Sequence, residues 1–142
     1  MIVRPWEEGD TEKLALQPSQ QYMGPLLSDL NIETLTVHGL AWTAEDDDGS
    51  VIGIAGLSPQ WENRAVAWAL ISKEAGPHFL AIHRKVKEIF IRHPFRRIEA
   101  TVDVGFKPGI RWMKMLGFEL EGYMKAYRPD GGDQLLYARI RR

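Results

Sequence analysis

The chain has 142 residues, 44% hydrophobic and 26% charged, which is the composition of one globular domain with enough apolar side chain for a core and too much for wholesale disorder. Its complete lack of cysteine excludes disulfides, thiolate nucleophiles and Cys-ligated zinc or iron–sulfur sites. The formal net charge of −1 conceals an asymmetry, because residues 1–62 carry 2 basic and 11 acidic side chains and residues 63–142 carry the other 16 and 8, so the C-terminal half is the one suited to an anion.

In chain order, IVRP at 2–5 reads as a short strand, and Asp10 as the N-cap of a helix running to about Leu16, before Pro18. A second helix is expected over roughly Pro25 to Val37. LAWTAE at 40–45 and SVIGIAGL at 50–57 are strands joined at Asp48-Gly49, a strong hairpin signal. AVAWALI at 65–71 is a third, after the polar link QWENR. In the following stretch Phe79, Ile82, Val86, Ile89 and Phe90 recur at helical spacing with Arg84, Lys85, Lys87 and Glu88 opposite. Pro77 suits that helix's first turn and Pro94 lies just beyond its end. RRIEATVDV at 96–104 alternates apolar and polar residues as a strand does. PGIRWMKMLG at 108–117 is a short helix ended by Gly117, and FELEGYMKAYR and QLLYARIR are two strands joined by PDGGD. No apolar run approaches the roughly 18 residues of a membrane span and the acidic start is unlike a secretory signal. A cytoplasmic protein without a membrane partner is therefore expected.

This order, with IVRP at the start and MLGFELEG at 115–122, resembles the GNAT (GCN5-related N-acetyltransferase) superfamily, and the resemblance covers essentially the whole chain. The stretches that carry it are Ile2 to Pro5, Val51 to Leu57, Ile110 to Phe118, and Tyr127 through Gly131 and Asp133 to Tyr137-Ala138. A divergent member is implied, with blunted positions that also resemble small GNAT-like proteins encoded beside the structural genes of tailed phages. The fold implied is α/β (α+β), one GNAT-like domain over 1–142, with a mixed, mostly antiparallel sheet of about seven strands and about four helices.

The resemblance places acetyl-CoA as co-substrate on the strand at 65–71 and the loop SKEAGPHF. Backbone donors from Ile71 through Ser72, Gly76, His78 and Phe79 would hold pantetheine and pyrophosphate, with Lys73 assisting. In such a loop N–H groups at a helix start receive the anion. Here only one glycine is present, followed by proline, so Gly76-Pro77 reads equally as an ordinary helix start; the N–H groups of His78 and Phe79 are expected to point outward. Many family members carry a tyrosine acid four residues before the glycine of LGF, and an asparagine seven residues earlier. This chain has Met113 and Phe106 there, neither able to transfer a proton. Direct attack by an amine on a thioester can proceed without a dedicated acid.

Asp103, near the C-terminal end of its strand, is the candidate proton acceptor for the amine, although the same residue reads as one more member of a polar strand face. Tyr127, expected in the penultimate strand, is the candidate acid, with Tyr123 and Tyr137 as equally good phenols. Of four histidines only His78 and His83 come close in sequence, so no metal is expected. Trp61, between polar residues, is the tryptophan expected at the surface. The stretch 83–97 holds six Lys or Arg against one Glu, but its apolar residues follow a helical core face and no nucleic-acid motif is present, so nucleic acid is not an expected partner. The function implied is acetyl transfer from acetyl-CoA to an amine acceptor, with PSQQYMGPLLSD at 18–29 as the specificity segment. The alternative is a catalytically silent GNAT-fold binding or assembly module, phage virion-associated for example. A homodimer or a protein assembly partner is compatible with either.

Overall fold

The computed structural model describes residues 1–17, 20 and 39–142. Seven strands form one sheet: β1 (Ile2–Pro5), β2 (Ala41–Glu45), β3 (Val51–Trp61), β4 (Arg64–Ile71), β5 (Arg97–Asp103), β6 (Glu119–Met124) and β7 (Gln134–Ile140), in the spatial order β1-β2-β3-β4-β5-β7-β6. Strands joined by tight turns are antiparallel. At the β2–β3 turn the Asp46 carboxylate accepts the N–H groups of Asp48 and Ser50 at 2.9 and 3.0 Å, and Gly49 takes φ +81. β3 continues past Leu57 to Trp61, leaving only Glu62 and Asn63 as the link to β4. The β4–β5 pair is parallel because the connection between them crosses over through helix α1 (Phe79–Arg92).

Helix α1 and helix α2 (Lys107–Met115) bury their apolar stripes against the sheet. Phe90 packs with Leu57, Ala100, Leu116 and Phe118, and Ile82 packs with Ala44 and Ile52. Gly117 takes φ +86 at the end of α2, turning the chain so that Phe118 drops into the core, its ring 5.8 Å from that of Phe90. Among the described residues no helix is long and apolar enough to cross a membrane.

Two expectations about helices need correction. Among the described residues there are two α-helices rather than about four, joined by 3-10 turns at Thr11–Lys13 and Gly76–His78. The expected helix at Pro25 to Val37 lies outside the described residues. After Asp10 the chain makes only the Thr11–Lys13 turn and then extends: Leu14 is in the β region and Leu16 bridges Ser72. The reason is a competition for Asp10 and for the backbone beyond it. The Asp10 carboxylate makes no cap bond to the turn; it accepts two bonds from the Arg4 guanidinium, one from Thr43 Oγ1 and one from the Glu7 N–H, each at 2.8 Å. The backbone at Ala15 and Gln17 is bonded to Lys73 and Ile71, which holds this segment out as a strand.

Arg4 also donates to Glu45 at 2.8 and 3.0 Å, so one guanidinium ties β1, β2 and the turn together. Asp10 is 1% exposed, and the Arg4 hydrogen bond holds its carboxyl at about 2, below the usual 3.8. A carboxylate depressed in the folded state stabilises the fold fully above its unfolded pKa and loses that contribution as pH falls through the folded value. Here the window is from about pH 4 down to pH 2, and the contribution is on the order of 2 kcal/mol. Asp10→Asn is expected to lower the melting temperature at pH 7 and to flatten the pH dependence of melting below pH 4, read by circular dichroism melts from pH 2 to 7.

Candidate functional site

β4 and β5 pair at only three positions, Arg64–Arg97, Ala65–Ile98 and Val66–Glu99. An ion pair locks that short ladder: Arg64 donates to both Glu99 oxygens at 2.6 and 2.9 Å, and Arg97 adds a bond of 2.8 Å. Beyond it β4 continues to Ile71 and β5 to Asp103 without pairing, and the gap opens into a cavity of about 720 Å³. One wall is apolar, built from Phe79, Val86, Phe90, Phe106, Trp112 and Met113. Thr101 and Asp103 alternate along β5 with Ala100 and Val102, which pack in the helix-covered core, so they serve the opposite, polar wall with Arg128 and Gln134. The two helices are tied across the apolar wall. Trp112 Nε1–H donates to His83 Nδ1 at 3.1 Å, and the Phe79 ring stacks on His83 and meets Trp112 edge-on. Burial first, then Lys87 and Arg84, pushes His83 below the usual imidazole pKa, which keeps Nδ1 an acceptor.

Of the expected site residues, Asp103, Tyr127, Ile71, Ser72, Lys73, Gly76 and Phe79 all line this cavity. His78 is not among the lining residues. Tyr127 lies beyond the end of β6, in the loop before β7, rather than in a strand. The structure separates the three phenols. The Tyr123 hydroxyl donates to Asp133 at 2.6 Å, which raises its pKa, and Tyr137 is 3% exposed in the core, whereas Tyr127 faces the cavity. Asp103 has a partner on each oxygen, Arg128 Nη1 and Gln134 Nε2, both at 2.8 Å.

The expectation that the N–H groups of His78 and Phe79 point outward is overturned. They close the Gly76–His78 turn, donating to Ala75 O and Gly76 O. The same loop turns other donors inward, since Ala75 N–H bonds Ser72 O and Glu74 N–H bonds Ser72 Oγ. The cause is tight i to i+3 winding around Pro77, which captures the donors an open loop would present.

Arg128 and Gln134 are the site residues that sequence reasoning missed. The signal was the stretch RPDGGD: Arg128 folds back on Asp130, which its guanidinium bonds through Nε at 2.9 Å, and across Gly132, where a Cβ would lie 2.7 Å from Arg128 Nε. A second glycine shapes the wall at β3. At Gly56 a Cβ would sit 2.5 Å from the Trp68 indole and 2.7 Å from Leu40 O, so the indole lies flat only because position 56 has no side chain. Gly56→Ala is expected to cost about 2 kcal/mol of stability and to shift tryptophan fluorescence, as measured by denaturant titration.

No family model matches the chain, and no curated protein does. Solved structures do. It is similar to a GNAT superfamily phosphinothricin acetyltransferase from Sinorhizobium meliloti in complex with AcCoA, with 22% identity, 98% of this chain and 87% of that one covered, and a TM-score of 0.71. The chain has the GNAT fold. The likeness extends to a ribosomal-protein-alanine N-acetyltransferase from Brucella melitensis (19% identity, 99% and 100% covered, TM-score 0.68) and to Ard1 from Thermoplasma volcanium (15%, 98% and 96%, TM-score 0.77). At these identities the likeness carries the fold alone. Within this GNAT fold, the gap between β4 and β5 opens into the cavity of about 720 Å³.

Proposed function

We propose that the chain transfers an acetyl group from acetyl-CoA to an amine, by direct attack in a ternary complex. The observation that carries this reading is the separation of β4 from β5 around an open cavity with one apolar and one polar wall. Phe79, Phe106 and Met113, which would fill the gap in a silent module, line an open one instead. The solved neighbour holding AcCoA in the same fold supports the co-substrate. The names of two neighbours, a phosphinothricin and a ribosomal-protein-alanine acetyltransferase, support an amine as acceptor.

In this scheme the acyl end lies against the apolar wall and the pantetheine arm along the open edge of β4. With the N–H groups of Glu74, Ala75, His78 and Phe79 bonded within the loop, the phosphates are met mainly by the charge of Lys73 at the cavity rim, with Gly76 beside it. The amine nitrogen attacks the thioester carbon, the C–S bond breaks and the CoA thiolate leaves. The proton given up by the amine passes to Asp103, directly or through water, on a lone pair that the single bonds from Arg128 and Gln134 leave on each carboxylate oxygen. Tyr127 protonates the thiolate, the task that Met113 and Phe106 cannot perform.

Isothermal titration is expected to show micromolar binding of acetyl-CoA and of CoA, weakened about tenfold or more by Lys73→Glu through charge reversal beside the phosphates. No heat up to millimolar ligand, with an unchanged melting temperature, overturns the reading in favour of a binding or assembly module. In a thiol-release assay across amino acids, polyamines and peptides, Tyr127→Phe is expected to lower kcat about 100-fold while leaving the KM for acetyl-CoA within twofold or so; unchanged kcat removes Tyr127 from the mechanism.

A further inference from the structure

The edge of β4 that β5 leaves open is covered by the chain itself. Residues 15–17 run antiparallel to it: Lys73 N–H donates to Ala15 O at 3.0 Å, Gln17 N–H donates to Ile71 O at 2.9 Å, and Leu16 bridges Ser72. Nearer the cavity the covering group is a side chain. Gln20 Nε2 donates to Ala69 O at 2.7 Å, and Gln20 Oε1 accepts the Ile71 N–H at 2.9 Å. The carboxamide is held in place by Gln17, whose Nε2 donates to Gln20 Oε1 at 3.2 Å and whose carbonyl accepts the Gln20 N–H at 2.9 Å. Both Gln17 and Gln20 line the cavity.

A carboxamide that accepts the N–H of one residue and donates to the C=O two residues earlier makes the pair of bonds that the N–H and C=O of one residue, from two successive amides, would make in an added parallel strand. The Ile71 N–H is free for this because the ladder to β3 is served by its neighbour: Ser72 N–H donates to Ile52 O. The edge at Ala69 and Ile71 is thus a recognition site for an extended arm with two successive amides, and the structure shows it filled by the Gln20 carboxamide.

We propose that Gln20 is a displaceable plug, whose carboxamide closes the β4 edge and leaves it when an amide-bearing arm lies along the strand. The arm is the pantetheine of acetyl-CoA, an identification that rests on the acetyl-transfer reading above. Leaving the edge breaks three bonds of the carboxamide: the two to Ala69 and Ile71, which the ligand replaces, and the one from Gln17 Nε2. A ligand that must first displace an internal competitor binds with an affinity reduced by the fraction of time the site is open. These hydrogen bonds, each modest in net strength, set that handicap at about tenfold or more.

The test uses the full chain, Gln20→Leu, which keeps the side chain's bulk, and Gln20→Ala. Amide hydrogen exchange is followed by NMR without ligand, and acetyl-CoA affinity by isothermal titration. The expected result is exchange at Ile71 accelerated at least about tenfold in both variants, with Ser72 unchanged as the internal control for folding, and acetyl-CoA bound about tenfold more tightly. Unchanged Ile71 exchange overturns the plug, and so does acetyl-CoA affinity that is equal or weaker in the variants. Accelerated exchange at Ile71 with no acetyl-CoA binding to any of the three chains overturns the acetyl-transfer reading and pantetheine as the arm.

Discussion

The cavity exists because β4 and β5 are held together at one end and nowhere else. Three parallel pairs are few, and the Arg64–Glu99 ion pair, reinforced by Arg97, concentrates the attachment at the start of both strands. Arg97 in turn bonds both oxygens of Glu121 on β6, so the anchorage spans four strands. The hydrogen bonds from Arg64, followed by those from Arg97, hold the Glu99 carboxyl at about 2, so it remains charged through the physiological range. Beyond the clamp, α1 and α2 occupy the helix-covered side with a rigid apolar wall joined through His83 and Trp112. Twisted strands fixed at one end and wedged at the other diverge, and the space between them is the site.

A gap in the middle of a sheet leaves backbone donors and acceptors that must find partners. β5 is paired along its length with β7 and β4 with β3, so each presents one edge to the gap. The chain meets that demand on β4 with its own N-terminal segment, first by backbone at residues 15 and 17 and then by the Gln20 side chain. Stability and function therefore draw on the same hydrogen-bonding groups. The Arg4–Asp10–Glu45 cluster fixes where this segment leaves the sheet, which links the outermost strands to the edge of the cavity.

The strands and the two α-helices were legible in the sequence because their signals are local. Alternation in RRIEATVDV, the helical spacing of Phe79 to Phe90, the Asp48-Gly49 turn and the Gly117 stop each act over a few residues. The site was legible only in part. The strand end at Asp103, the loop at Ile71 to Gly76 and Tyr127 all reach the cavity. Arg128 and Gln134 went unnoticed because an arginine in a turn and a glutamine opening a strand have no pattern of their own; their meaning comes from Asp103, 25 and 31 residues away in sequence.

Gln20 and Asp10 mark the same boundary. In sequence Asp10 is a good helix cap and Gln20 one residue of the expected specificity segment at 18–29, but distant partners redirect both: Arg4 and Thr43 capture the carboxylate, and the open edge of β4 captures the carboxamide. The sequence by itself determined the order and kind of the elements, since hydrophobic periodicity and turn chemistry are properties of neighbouring residues. Only the tertiary structure decided which polar groups meet, which donors of the Gly76–His78 loop turn inward, and where the sheet opens. Those outcomes depend on long-range competition for hydrogen-bond partners, and no local pattern encodes its winner.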